Sequence, residues 1–175
     1  MSELRSRKNI RLTPHNHLGR NLYFVTICSY QRQSVFLDAK LSTWILDLLR
    51  SESAAKPFRV HAYCLMPDHL HFLAEGTEPG SDLLHLVKSF KIKSSRRYLR
   101  EAERVLWQKR FYEHILREAA SVEAVAWYIW LNPVRKGLVG NPRDYPFAGS
   151  YSGRKMPAVW NVPEWRPPWA KMACR

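Results

Sequence analysis

The run "PFRVHAYCLMPDHLHFLAEG", residues 57 to 76, constrains the fold of this chain more than any other stretch. Phe58, Val60, Ala62 and Cys64 alternate with Arg59, His61 and Tyr63, which is the period of a strand with one face turned inward. Pro67 and Asp68 supply a turn, and "HLHFLAE" then resumes a strand-like composition. Two strands joined so tightly pair antiparallel. Such a hairpin needs further strands and a covering layer before it can bury its apolar side.

The flanking sequence supplies both. "NLYFVTICSY" (21–30) is β-branched and aromatic and predicts a first strand. "LSTWILDLLRSES" (41–53) spaces Leu41, Trp44, Ile45, Leu48 and Leu49 along one helical face. A second helix opens at Ser81 as N-cap and carries Leu83, Leu86, Val87 and Phe90 as a stripe. "RFYEHILRE" (110–118) predicts a fourth strand. A last helix runs from an N-cap at Ser121, is interrupted by Pro133 and stops at Gly137. The order β-α-β-β-α-β plus one helix predicts an α+β fold: a ferredoxin-like or RRM-like antiparallel sheet with helices on one face and the other face open for a site. Residues 1–20 read as a basic arm, 21–150 as the domain and 151–175 as an irregular Pro- and Trp-rich tail; the loss of period already begins at "NPRDYPFAGSYSG".

At 175 residues the chain can bury one core of its own. It has no apolar run of the roughly 20 residues that a membrane span needs, and its first residues lack a signal-like apolar segment. A soluble cytoplasmic protein without membrane partners is expected. Cys28, Cys64 and Cys174 are far apart and form no C-x-x-C, so free thiols are expected and a cysteine zinc site is not. The charge is one-sided: 28 Lys and Arg against 15 Asp and Glu leave +13. Between Lys88 and Arg110 stand nine basic residues and two acidic ones, a composition suited to neutralising phosphates. Lys91, Lys93, Arg96, Arg97 and Arg100 are the leading DNA-contact candidates, followed by Arg135 and Lys136; a basic helix beside an open sheet suits single-stranded or hairpin DNA.

His69 and His71 are two apart on a strand, so both imidazoles project to one face while Leu70 and Phe72 face the other. That is chelate geometry for a divalent ion, and it equally suits two hydrogen-bonded strand histidines. Tyr128 and Asn132, four apart on the last helix, share a face and offer an oxygen nucleophile and an amide oxygen ligand. His61 reads as structural or as a partner of the pair; His15, His17, His85 and His114 receive no role. Trp165 and Trp169 would either touch DNA or pin the tail.

"YCLMPDHLHFL" followed about sixty residues later by "YIWLNPVRKGLV" resembles the REP-associated tyrosine transposases, relatives of the single-tyrosine HUH insertion-sequence transposases. "FVTICSYQRQSVF", "VLWQKRFYEHILR" and "DYPFAGSY" also look like stretches of that family, and the likeness spans residues 20 to 151. The resemblance implies that His69 and His71 are metal ligands, Tyr128 the nucleophile and Asn132 a third ligand, with Mg²⁺ or Mn²⁺ as cofactor. It implies nucleoid-associated nicking and rejoining of REP-like hairpin DNA through a 5′-phosphotyrosine link, with a monomer as the expected unit and a dimer as the alternative. A non-catalytic RRM-like nucleic-acid-binding module and a small metallohydrolase remain the competing readings.

Overall fold

The computed structural model describes residues 17–116 and 122–156. Strand β1 (Leu22–Cys28) leads to α1 (Ala39–Ala55), the hairpin β2 (Phe58–Met66) and β3 (His69–Gly76), α2 (Leu83–Ala102), β4 (Tyr112–Leu116), α3 (Val122–Trp130), a single turn α4 (Asn132–Arg135) and a short β5 (Ala148–Gly149). The strands pair antiparallel in the order β4-β1-β3-β2-β5, and the first four reproduce the ferredoxin-like arrangement. Asp38 caps α1, its carboxylate accepting from the amides of Lys40 and Leu41 at 2.8 and 3.1 Å. The α2 cap is Asp82, one residue beyond the expected Ser81: Asp82 accepts from the His85 amide at 3.0 Å, while the Ser81 hydroxyl donates to the Pro57 carbonyl at 2.8 Å. No helix among the described residues is long and apolar enough to cross a membrane.

Two apolar layers flank the sheet. Tyr23, Val25, Ile27, Leu70, Phe72 and Ala74 pack with Ile45 and Leu49 of α1 and Leu86, Val87 and Phe90 of α2. On the opposite side Phe24, Cys64, Met66 and Leu73 pack with Val125, Ala126, Ile129 and Trp130 of α3. The second face is therefore covered, which corrects the expectation of an open one. The last helix is apolar enough to need burial, and that face is the surface left to receive it.

Strand β2 corrects a second expectation. Phe58 and Val60 face α1 and α2, but the register slips between Val60 and Ala62, and Ala62, Cys64 and Met66 then face α3. The slip is a β-bulge: His61 is the extra residue, and one extra residue turns every later side chain to the other face. Cys64 and Met66 thereby come beside the histidines.

The stretch from Asn141 is ordered rather than irregular. Ala148 and Gly149 pair with Cys64 and Tyr63, the Tyr145 hydroxyl donates to the Leu65 carbonyl at 2.8 Å, and the Tyr151 hydroxyl donates to the Leu46 carbonyl at 2.7 Å. A Cβ at Gly149 would lie 2.7 Å from the Tyr63 hydroxyl, so any larger residue there would require the Tyr63 ring to shift. The tail beyond Met156, with Trp165 and Trp169, lies outside the described residues, as do Ser121 and the arm up to Asn16. The described end of the arm is docked, His17 being buried with its Nε2 at 3.2 Å from Glu113. Cys64 is a free buried thiol, as expected; Cys28 is disulfide-bonded, which corrects the expectation of free thiols at that position, because a spacing in sequence does not report a long-range approach.

Helices α1 and α2 are joined through Glu52, which is 3 % exposed and accepts from Lys56 Nζ at 2.7 Å, from Ser89 Oγ and from Lys93 Nζ. Burial alone would raise its pKa, but the bonds from Lys56, Lys93 and Ser89 outweigh burial and hold it at about 2. The folded value lies below the ordinary 4.5, so the stabilisation is present above about pH 4.5 and is lost as pH falls toward 2. Glu52→Gln is expected to lower the unfolding free energy at neutral pH by about 2 to 3 kcal/mol in urea titrations. The gap to the parent should shrink in acid; a gap that stays constant down to pH 2.5 would contradict this account.

Candidate metal and nucleophile site

Strand β3 lies between β1 and β2, and its register fixes the neighbours of each histidine. His71 is opposite Thr26 on one side and Cys64 on the other; His69 is opposite Cys28 and Met66. Both imidazoles are on the α3 side of the sheet and are buried, at 6 % and 4 % exposure. Their Nε2 atoms stand 2.9 Å apart, with the rings at 80° to each other. The outer nitrogens are held as well: His69 Nδ1 is 2.6 Å from Asp68 Oδ1, and His71 Nδ1 is 2.7 Å from Thr26 Oγ1.

These partners determine which nitrogens are free to ligate. Burial would raise the Asp68 pKa, but the hydrogen bond and charge of His69 and the charge of Arg32 outweigh it, so the carboxyl is below its ordinary value and ionised at neutral pH. A carboxylate only accepts, so His69 carries its proton on Nδ1 and keeps a lone pair on Nε2. The Thr26 hydroxyl can donate or accept, so His71 can turn its Nε2 lone pair to an ion without losing its Nδ1 partner. Burial first, then the charges of His69, Arg135 and Arg32, push the His71 pKa well down, which keeps that ring neutral and able to ligate. Two cis ligands about 2.1 Å from one octahedral ion are about 3.0 Å apart, so the observed 2.9 Å fits a divalent ion. Among the described residues no three His, Cys, Asp or Glu side chains converge as a metal group, so a further donor among them is of another type.

Helix α3 supplies candidates for the rest. The Tyr128 ring centroid is 6.0 Å from that of Phe24, which is itself 5.3 Å from His71, so Tyr128 and the histidines share one face of the sheet. Burial raises the Tyr128 pKa, opposed by Arg135. The Arg135 guanidinium lies over the Tyr128 ring at 4.2 Å and donates to the Tyr128 carbonyl. Pro133 has no N–H for the Ile129 carbonyl; Asn132 Nδ2 donates to it instead at 3.1 Å, and to the Tyr128 carbonyl at 2.9 Å. This use of the amide nitrogen leaves Oδ1 as the atom of Asn132 available to an ion.

Reasoning from the sequence did not single out Thr26, Arg32 or Asp68. Asp68 directly precedes the pair, and a carboxylate beside a ligand histidine is a readable signal. Thr26 and Arg32 become neighbours only through the β1–β3 register and the turn after β1, which one sequence does not give. His61 bonds Glu75 through Nε2 at 2.8 Å, in keeping with a structural role.

The basic candidates divide. Helix α2 packs on the sheet face opposite the histidines, so its cations are not beside them. Lys91 donates to the carbonyls of Gln108 and Lys109 at 2.7 and 3.1 Å, and burial lowers its pKa to about 8. Lys93 is bound to Glu52, and Arg97 to Glu101 at 2.7 Å while it covers Trp44 at 4.3 Å. Arg96, Arg100 and Lys136 are exposed and make no ion pair among the described residues. Trp107 pairs with Ser29 just after β1 and donates to Ser94, so the middle of α2 is tied to the end of the sheet at which β3 begins with His69.

The model of the family described as "Transposase IS200 like" matches residues 20–132. A putative REP-associated tyrosine transposase of Haemophilus influenzae is 27% identical over 138 residues, 73% of this chain and 78% of the relative. A REP-associated tyrosine transposase of Escherichia coli is 28% identical over 93 residues, 53% of this chain and 54% of the relative. The fold is similar to that of a REP-associated tyrosine transposase solved bound to a REP hairpin, with a TM-score of 0.63, 22% identity and coverage of 85% of this chain and 82% of the other.

The imidazole pair yields a direct test. Thr26→Val removes the Nδ1 partner of His71 and is expected to weaken Mn²⁺ binding about tenfold in calorimetry, while His69→Ala should abolish measurable binding. Affinity unchanged in both variants would mean that these imidazoles hold no ion.

Proposed function

The chain belongs to the Transposase IS200 like family, and from that membership we propose that it is a metal-dependent enzyme that nicks and rejoins single-stranded or hairpin DNA of the REP-like palindromic kind. The observation that carries the reading is the approach of Tyr128, through Phe24, to the sheet face on which the His69 and His71 Nε2 atoms converge. His69, His71 and the Asn132 amide oxygen would hold Mg²⁺ or Mn²⁺, a set of two nitrogens and one oxygen that suits Mn²⁺ and tolerates Mg²⁺. When bound, such an ion supplies Lewis-acid stabilisation of charge on the scissile phosphate.

Tyr128 attacks phosphorus in line: its Oη–P bond forms, the P–O3′ bond breaks, and the departing 3′ oxygen takes up a proton. The product is a 5′-phosphotyrosine with a free 3′-hydroxyl on the other fragment, and reversal by another 3′-hydroxyl rejoins DNA without an external energy source. Burial holds the Tyr128 proton on at neutral pH, so deprotonation must accompany attack rather than precede it. Arg135 keeps the ring in place from above. Arg96, Arg100 and Lys136, exposed and without an ion pair among the described residues, would contact the DNA backbone. The reading takes one cytoplasmic chain as the working unit, because all four central residues come from it.

Incubation with labelled hairpin DNA and Mn²⁺ is expected to give a denaturant-resistant protein–DNA adduct. Tyr128→Phe should give none, and Asn132→Ala should reduce its yield about tenfold at limiting Mn²⁺ with recovery at high Mn²⁺. An adduct of equal yield from Tyr128→Phe would overturn the proposed nucleophile; turnover without any adduct would favour a metallohydrolase.

A further inference from the structure

The segment "SYQRQSVF" after β1 enters the site above only through the charge of Arg32, yet its backbone is strained beside that site. Gln31 and Arg32 both hold positive φ, 52° and 59°, a left-handed conformation that side-chain-bearing residues rarely adopt and that concentrates at functional positions. The turn is tied to the hairpin: the Ser29 amide donates to the Asp68 carbonyl at 2.9 Å and the Phe36 amide to the Pro67 carbonyl at 3.0 Å. Held in this way, the Arg32 guanidinium places Nε 3.0 Å from Asp68 Oδ2, the carboxylate whose other oxygen holds His69, and directs Nη1 to Cys28 Sγ at 3.4 Å. A guanidinium carries five N–H donors. The remaining three have no partner among the described residues, and 35 % of the side chain is open to solvent.

We propose that Arg32 is a contact of the scissile phosphate, its free N–H edge pairing with a non-bridging oxygen beside the His69–His71 pair, with Asp68 fixing the guanidinium in place. A planar fork of donors matches phosphate oxygens, and a donor preset where charge grows need not reorganise during attack. Asp68 serves two neighbours at once, since one oxygen orients the imidazole and the other the arginine. The proposal rests on the transposase reading above.

The test compares Arg32→Gln and Arg32→Lys with the parent, using a hairpin oligonucleotide on which the parent forms adduct, and measures Mn²⁺ affinity by calorimetry beside the adduct rate at saturating DNA and Mn²⁺. Arg32→Gln is expected to slow adduct formation about 100-fold while Mn²⁺ affinity stays within about threefold, and Arg32→Lys to restore part of the rate. A rate within about threefold of the parent in Arg32→Gln overturns the proposal. So does a loss that parallels Mn²⁺ affinity and recovers at high Mn²⁺, which would make Arg32 only a holder of Asp68. A parent chain that forms no adduct on any hairpin removes the transposase reading and this proposal with it; adduct in the parent and undiminished adduct in Arg32→Gln removes this proposal alone.

Discussion

Strand β3 is buried on both faces, and the molecule is organised around how that burial is met. Leu70, Phe72 and Ala74 satisfy one side with α1 and α2. On the other side His69 and His71 stand where apolar residues would pack at no cost, and a buried imidazole needs a partner for each nitrogen. The structure meets this locally: Asp68 and Thr26 take the outer nitrogens, and the inner nitrogens face each other at 2.9 Å. Two polar rings are thus kept dry, oriented and close together, an arrangement a packing role alone does not require.

Coverage of that face by α3 argues against the RRM-like reading. An RRM-like module binds nucleic acid on an exposed sheet surface bearing aromatic rings. Here Val125, Ala126, Ile129 and Trp130 cover much of the surface, and the central positions carry hydrogen-bonded histidines. On the proposed transposase reading, DNA therefore reaches the histidines from the rim where β1 ends and β3 begins rather than across the sheet. Arg32 stands at that rim, and the middle of α2 is tied to it from the other layer through Trp107 and Ser94.

The ferredoxin-like order, both main helices and the histidine pair were legible in the sequence because each rests on local period: alternation in β3, helical spacing in α1 and α2, and i to i+4 spacing for Tyr128 and Asn132. What was not legible depended on pairing between distant segments. The bulge at His61 breaks an alternation that reads as continuous, since the residues on both sides of it are apolar and give no sign of a change of face. Strand β5 is two residues long and is held by hydrogen bonds from Tyr145 and Tyr151 to distant carbonyls, so it leaves no period to detect. The charge of α2 was evident, but the consumption of Lys91 and Lys93 by Gln108, Lys109 and Glu52 was not, because those acceptors are 17 to 41 residues away.

The Asn-Pro pair shows how a helix defect becomes part of the site. Pro133 deprives the Ile129 carbonyl of its usual donor, and a buried orphan carbonyl is costly. Asn132 repairs the defect with its own amide nitrogen, which fixes the orientation of the side chain and leaves its oxygen unengaged. The turn that follows carries Arg135 far enough round to reach back over the Tyr128 ring and bond the same carbonyl that Asn132 bonds. Candidate nucleophile, candidate ligand and ring clamp are therefore linked through one carbonyl, that of Tyr128. A glutamine in place of Asn132 would carry the amide one methylene further from the helix, so it could not repair the backbone in the same pose. The shorter side chain suits a helix broken at this point, and its reach toward an ion is set by the backbone it repairs.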